Sequence, residues 1–329
     1  MRLLNTSKKT PKQIINLTIG RLFGVEIELR KHFPTNNKAS DVLKPLFSDI
    51  QWTNALKLEH GIYEPESGEL FIFHDTGLFS CLSVTLWCLC DLISAGYVPK
   101  KVNFSGTLTA YKDAPGLDVY PELFETVLSE SVRKEILQLS KGRSQRFNHH
   151  GNYKTLDCEW LSLLARTYLN INSSVNEHTQ LLRTRNIVPG KRYVGVWYRG
   201  TDKSIEVMPT DSSFYIEATE RLLEKRLVDR ILIQTDQAQV CDLFKRYFGD
   251  ICDFIDELPR TEGSTAFHRS DEINGQRADH ATNMLAAVSI IASMPYVISY
   301  TGNIGAWIVL MRGSSQNVWQ ATPDGIVEQ

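Results

Sequence analysis

Short apolar runs alternate with helical patterns through the second half of the chain. The predicted strands, all rich in β-branched and aromatic residues, are 193–198, 230–234, 251–255 and 296–299. The helices predicted between and after them from the spacing of apolar positions are 212–225, 236–248, 283–292 and 304–311. This alternation with short connections predicts a mostly parallel sheet with helices on both faces.

The first half has a similar but sparser pattern. A strand at 69–73 runs into His-Asp-Thr-Gly, an apolar helix follows at 78–95, and a second strand is predicted at 101–104. The other segments with helical spacing are 12–32, 119–140 and 156–186, and polar loops are predicted at 142–154 and 259–275. The strand–turn–helix–strand order is that of an α/β unit.

A chain of 329 residues is long enough for two domains of ordinary size. We predict an α/β protein with two Rossmann-like, doubly wound domains that face a cleft. The first would span residues 1–188 and the second residues 189–312. We expect the tail, 313–329, to pack back on the first domain.

Composition narrows the class of partner. The chain is 42% hydrophobic and 22% charged, with 36 basic and 38 acidic residues, so no broad basic field indicates nucleic acid or an anionic membrane. The apolar run at 78–95 is interrupted by polar residues, which favours a buried helix over a transmembrane segment. The first nine residues lack the apolar core of a signal peptide, and none of the six cysteines forms a CxxC pair, so we expect a cytoplasmic protein with reduced thiols.

Three of the predicted strands end in small polar loops. These are Arg199-Gly200-Thr201-Asp202-Lys203, Gln234-Thr235-Asp236 and Ser299-Tyr300-Thr301-Gly302-Asn303. Parallel strands bring such loops to one edge of the sheet, where open α/β sheets bind their ligands. Helix amides at that edge can receive a phosphate, Arg199 can grip it with a planar fork, and Lys203 adds a mobile charge. The three loops together predict a cradle for a nucleotide diphosphate.

Each loop also has a purely structural interpretation. The two cations could pair with Asp202 or Asp236 instead of a ligand. Thr235 and Asp236 could serve only as helix caps, since both residue types cap helices well. The glycine and asparagine of the last loop could be turn residues without a ligand.

Glu206 lies three residues beyond Lys203, where a carboxylate could take a proton from an attacking hydroxyl, although a solvated glutamate fits the spacing equally well. His74 and Asp75 could face the cleft and meet an acceptor. The remaining histidines have no metal-type spacing, so a structural or surface position is favoured for them and no metal site is predicted.

Residues 195–203 resemble the His-Val-Arg-Arg-Thr-Asp-Lys motif of the α1,6-fucosyltransferases, a group that includes the core and nodulation fucosyltransferases and, more distantly, the protein O-fucosyltransferases. Residues 233–236 resemble their Ala-Thr-Asp segment, and 296–305 resemble their last nucleotide-binding loop. Residues 77–95 look like the glycine-rich turn and helix that open their first domain. The likeness is good over about 190–312 and general elsewhere.

This resemblance implies a two-Rossmann (GT-B type) enzyme that inverts the anomeric centre without a metal or cofactor and moves fucose from GDP-fucose to a glycan hydroxyl. Arg199 matches the motif arginine that contacts the β-phosphate, and Lys203 matches the motif lysine. With one residue deleted between Lys203 and Glu206, Glu206 and Tyr215 match a functional glutamate and tyrosine. Glu206 is then the proposed base.

The nucleotide-binding loops carry the remaining matches. The residues concerned are Thr235, Asp236, Thr301, Gly302 and Asn303.

The chain departs from the family at the positions that hold the guanine base of the nucleotide there. The motif histidine is Trp197 and the second arginine is Gly200. The acidic residue that reads guanine in the family falls near Ala287, with Asp279 close by. Guanine recognition is therefore less firmly implied than the diphosphate grip.

Two other functions remain open at this point. The enzyme could use a different nucleotide sugar, or the chain could bind a nucleotide sugar without turnover. A phosphatase or kinase is disfavoured, because the sequence has neither a GxxxxGK[ST] loop nor a cluster of metal ligands.

Overall fold

The computed structural model describes residues 54–114, 116–143, 146–200, 210–261 and 277–329. The helix predicted at 12–32 lies outside these residues, as does most of the polar loop predicted at 259–275. Lys203 and Glu206 also lie outside them.

The first sheet is mixed. Its strands, in spatial order, are β1 (Leu56–Lys57), β2 (Gly61–Glu64), β3 (Glu69–Ile72) and β4 (Lys101–Asn103). The first two pairs are antiparallel, and β3 and β4 are parallel. Helix α1 (Leu78–Ser94) connects the parallel pair, as predicted. The hairpin of β1 and β2 was missed, so this sheet, as far as it is described, is not the doubly wound sheet expected from the sequence.

The rest of the first half is helical, with one small interruption. The elements are α2 (Tyr120–Leu123), β5 (Phe124–Glu125), α3 (Glu130–Leu139), α4 (Cys158–Tyr168), β6 (Asn170–Ile171) and α5 (Ser173–Asn186). Ser129, Asp157 and Asn172 cap α3, α4 and α5 by accepting a backbone hydrogen bond from the third residue beyond each. The predicted helices at 119–140 and 156–186 are split because β5 and β6 pair with each other.

The second sheet confirms the predicted α/β alternation. Its elements along the chain are β7 (Tyr193–Tyr198), α6 (Ser212–Glu224), β8 (Arg230–Thr235), α7 (Ala238–Phe248), β9 (Cys252–Phe254), α8 (Arg277–Ala292), β10 (Tyr296–Tyr300), α9 (Asn303–Arg312), β11 (Val318–Thr322) and β12 (Gly325–Val327). The spatial order is β12-β11-β10-β7-β8-β9, and every neighbouring pair is parallel except β11 with β12. Helix α8 begins at Arg277, earlier than the predicted residue 283.

The tail beyond residue 312 forms the last two strands of this sheet. β11 pairs with β10, and β12 turns back against β11. Gln320 of β11 also donates to the carbonyl of Gly151 at 2.9 Å and accepts from the amide of Tyr153 at 3.0 Å. The tail therefore extends the second sheet and contacts the first half at the same time.

Helix α9 joins the two halves through Trp307. Its indole N–H donates to the Ser83 hydroxyl of α1 at 3.0 Å, and its ring lies 6.3 Å from that of Phe79. Trp307 is 1% exposed, so the contact belongs to the core. The start of α1 is thereby held against the carboxyl edge of the second sheet. Along the described ranges, no helix combines the length and the apolar character needed to cross a bilayer.

Candidate active site

A cleft of about 250 Å³ lies between the carboxyl edge of the second sheet and the start of α1. The strand ends contribute Trp197, Arg199, Gln234, Thr235, Asp236 and Tyr300. Helices α8 and α9 contribute His280, Met284, Asn303 and Ile304. The first half closes the cleft with residues 76–80, Tyr111 and His149.

The strand order explains why the cleft lies here. From β7 the chain moves outward to β8 and β9, then returns to the other side of β7 to form β10 and β11. The connections therefore leave β7 and β10 in opposite directions, which opens a crevice at their carboxyl ends. Ligands of open α/β sheets bind at such a switch point. Arg199 follows β7 and Asn303 follows β10, on the two sides of this crevice.

Arg199 and Asp236 meet across the ends of β7 and β8. The guanidinium Nε lies 3.9 Å from Asp236 Oδ2, which is an ion pair rather than a hydrogen bond. The other carboxylate oxygen accepts a long hydrogen bond of 3.4 Å from the amide of Gly200. Both side chains are about one-fifth exposed and line the cleft. The pairing with Asp236, an alternative to ligand binding that the sequence left open, is present, and Arg199 lines the cleft as well.

The two helices that begin in the cleft have glycine at the N-cap, so neither is capped by the side chain of that residue. Gly77 precedes α1 and Gly302 precedes α9, and neither helix has an acidic residue in its first turn. The amide of Leu78 donates to the Tyr111 hydroxyl at 3.1 Å. Burial raises the pKa of Tyr111 to about 12, so this hydroxyl is neutral at physiological pH. Two positive helix ends and Arg199 thus favour an anion in the cleft.

A neutral histidine supports residues 76–80, the wall that the first half contributes to the cleft. His74 Nε2 lies 3.1 Å from the Ser80 hydroxyl and 3.0 Å from that of Thr76, and both of these residues line the cleft. Burial lowers the pKa of His74 to about 4, which keeps the imidazole uncharged. The carboxylate of Asp75 accepts from the amide of Thr109 at 2.9 Å. His74 and Asp75 therefore support the wall from behind instead of lining the cleft.

Thr235 lines the cleft, but neither it nor Asp236 is the N-cap of α7. That position is Gln237, which makes no side-chain cap hydrogen bond. The Thr235 hydroxyl accepts from the amide of Gln237 at 3.1 Å. The interpretation of these residues as helix caps is therefore wrong, and the carboxylate of Asp236 is directed to Arg199 and Gly200.

Thr301 and Gly302 were predicted to bind nucleotide, and the structure places them beside the cleft instead. The Thr301 hydroxyl donates to the Ala321 carbonyl at 2.7 Å and accepts from Gln320 at 3.0 Å. The amide of Gly302 donates to the Tyr153 hydroxyl at 3.0 Å. These polar groups are occupied within the protein, because β11 and the Tyr153 turn pack against them. Asn303, the next residue, does line the cleft.

Tyr215 is a second correction. It is 1% exposed, packs edge-on against Tyr198 at 5.1 Å, and does not line the cleft. It belongs to the buried face of α6. The position expected for a guanine-reading acid is also unavailable to a ligand, since Ala287 is fully buried, and Asp279 lies on the exposed side of α8.

Gln234 and Tyr300 belong to two of the predicted loops but were assigned no role of their own from the sequence, and both line the cleft. Gln234 is 2% exposed and Tyr300 5% exposed, and Gln234 Oε1 and the Tyr300 hydroxyl have no hydrogen-bond partner among the described residues. Asn303 Oδ1 also has no hydrogen-bond partner among the described residues. A glutamine inside an apolar strand was a visible signal for Gln234. Tyr111 and His280, stacked at 5.8 Å, come from separate elements and had no such signal.

No protein-family model matches this chain, and no curated protein sequence matches it. Solved structures of NodZ α-1,6-fucosyltransferase are similar in fold. The structure soaked with GDP-fucose has a TM-score of 0.47 and 15% identity, covering 77% of this chain and 96% of that one. The structure co-crystallised with GDP has a TM-score of 0.45 and 14% identity, covering 78% of this chain and 97% of that one. A selenomethionine form from Bradyrhizobium has a TM-score of 0.46 and 14% identity, covering 77% of this chain and 95% of that one. These structures come from the family that residues 195–203 resemble.

Proposed function

We propose that this protein is an inverting glycosyltransferase of the GT-B type that moves fucose from GDP-fucose to a hydroxyl of a glycan. One observation carries the proposal: Arg199 and two helix starts with glycine N-caps converge on a single cleft at the switch point of the second sheet. That arrangement suits a diphosphate. The choice of GDP-fucose rests on the motif resemblance of residues 195–203.

The reaction requires charge to build on the departing diphosphate as the bond to the sugar breaks. Arg199 and the amides at the start of α9 would stabilise that charge, which is electrostatic stabilisation of the transition state. Asp236 would hold the guanidinium in position from the β8 side. Lys203 would add a second cation, and Glu206 would take the proton of the attacking acceptor hydroxyl.

No metal or cofactor is needed in this mechanism, because the cation and the helix amides supply the positive charge. The acceptor would enter from the first-half wall, where residues 76–80 and His149 line the cleft.

The experiment is calorimetry against GDP, UDP, ADP and CDP, followed by transfer assays with GDP-fucose and a panel of glycans, with and without EDTA. We expect GDP to bind in preference to the others and fucose transfer to continue in EDTA. A protein that binds none of the four nucleotides would contradict the proposal. Binding of GDP without turnover over a broad glycan panel would indicate a nucleotide-sugar-binding protein instead. Preference for another nucleotide would indicate another donor.

A further inference from the structure

Gln234 follows three apolar residues, 231–233, near the carboxyl end of β8. Its side chain is 2% exposed and lines the cleft, and its Oε1 has no hydrogen-bond partner among the described residues. A buried amide oxygen without a partner lowers stability, so such a group is typical of a site completed by a ligand.

The neighbours of Gln234 define what kind of ligand fits. Trp197 of β7 is its partner in the parallel register, so both side chains lie on the same face of the sheet. Gly195, two residues earlier, shares that face, and a Cβ there would contact Ile291 of α8 at 2.8 Å. Trp197 and Gln234 therefore face α8.

From α8, His280 and Met284 reach the same cleft. The indole of Trp197, the imidazole of His280 and the thioether of Met284 thus line this cleft together with the Gln234 carboxamide. Such a pocket suits a planar heterocycle whose edge can be read by hydrogen bonds.

We propose that Gln234 is the residue that reads the base of the donor nucleotide, an inference that rests on the proposed function. Its carboxamide presents an acceptor beside a donor, which matches the N1–H and O6 of guanine. Among the described residues that line the cleft, Asp236 is the only carboxylate, and it is paired with Arg199. Among the described lining residues, no second carboxylate competes with the Gln234 amide for this role.

The test compares Gln234→Leu with the wild type by calorimetry against GDP, ADP, UDP and CDP. The matched control is Gln239→Leu, an exposed glutamine of α7 outside the cleft. We expect Gln234→Leu to reduce the preference for GDP by about tenfold, the loss expected when one paired base contact is removed. The control should keep the wild-type preference.

Thermal unfolding separates a ligand-reading role from a structural one. Removal of an unpaired buried amide should leave the melting temperature unchanged or raise it. A clear fall in the melting temperature of Gln234→Leu with an unchanged base preference would overturn the proposal, because it would show that the amide supports the fold.

A second variant, Gln234→Glu, sharpens the result. Its carboxylate keeps an acceptor for the N1–H of guanine but cannot donate to O6, so the preference for GDP should fall below that of the wild type. An unchanged preference for GDP in both variants would overturn the inference. A wild type that binds all four nucleotides equally would overturn it and leave the transferase proposal in place, whereas a wild type that binds none would overturn both.

Discussion

The connections after β8 and β10 both lead from a buried strand to a helix through two residues, Asp236-Gln237 and Thr301-Gly302. After β8, the polar side chain of Asp236 lines the cleft and meets Arg199 at 3.9 Å. After β10, the Thr301 hydroxyl and the Gly302 amide are bonded to Ala321 and Tyr153 and do not line the cleft.

The difference lies in what packs against each connection. β11 runs beside β10, so the Thr301 amide and hydroxyl both bond to the same carbonyl of that strand. Tyr153, from a short helical turn in the first half, then reaches the carbonyl of Tyr300 at 2.8 Å. The connection after β10 therefore holds the two halves together, and Asn303, the first residue after it, lines the cleft. A polar loop at the carboxyl edge is thus a candidate site, and its neighbours decide whether it binds a ligand.

The largest effect should come from Arg199→Ala. We expect kcat/KM for transfer to fall by about 100- to 1,000-fold, since removal of one preorganised charge-stabilising donor costs about that much. Stability should change by less than about 1 kcal/mol, because the ion pair with Asp236 is long and partly exposed. Steady-state kinetics and thermal unfolding of the same preparation measure both. Near-normal turnover by the folded variant would remove Arg199 from the mechanism.

Gly305→Ala should disrupt the contact between Tyr153 and the carbonyl of Tyr300, which joins the two halves. A Cβ at this position would lie 2.0 Å from the Tyr153 hydroxyl and 2.5 Å from the carbonyl of Tyr300, so the backbone or the tyrosine must move. We expect a loss of about 1–3 kcal/mol in the free energy of unfolding, the usual cost of overpacking. Denaturant titration checks this.

Gly77→Ala is the matched control for that variant, since it lies at the start of α1 and its Cβ would meet nothing within 4 Å. It should cost less than Gly305→Ala. Equal losses in the two variants would show that the contact with Tyr153 is not the cause.

The smallest effect expected is that of Thr301→Val. It removes a hydroxyl that donates to Ala321 and accepts from Gln320, at a cost of about 1–2 kcal/mol in unfolding free energy. The affinity for nucleotide should not change, because Thr301 does not line the cleft. Thr235→Val is the counterpart on the other connection, and there nucleotide affinity should fall. If Thr301→Val instead weakened nucleotide binding at unchanged stability, the two connections would have the same role.

Much of the second sheet could be predicted because each strand is a compact apolar run bounded by turn residues. Residues 193–198 became β7 with the predicted bounds, and Arg199 lies where the pattern placed it. The first half was harder to predict, because β1, β5 and β6 are only two residues long. Strands this short have almost no periodicity and form only because a partner strand lies beside them.

The residues of the candidate site were likewise predictable only in part from the sequence. Local sequence indicated Arg199, Asp236 and Asn303, since a polar residue directly after a buried strand lies at the ligand-binding edge. It did not indicate Tyr111 or His280, which meet only when α8 packs beside the first-half turn.

The order of apolar and polar residues by itself determined that parallel strands would present an arginine and helix starts at one edge of a sheet, because periodicity and turn chemistry act over a few residues. The tertiary structure alone decided which of those polar groups line the cleft. Hydrogen bonds such as those of Thr301 to Ala321 and of Gly302 to Tyr153 join residues far apart in the chain, and no local pattern specifies them.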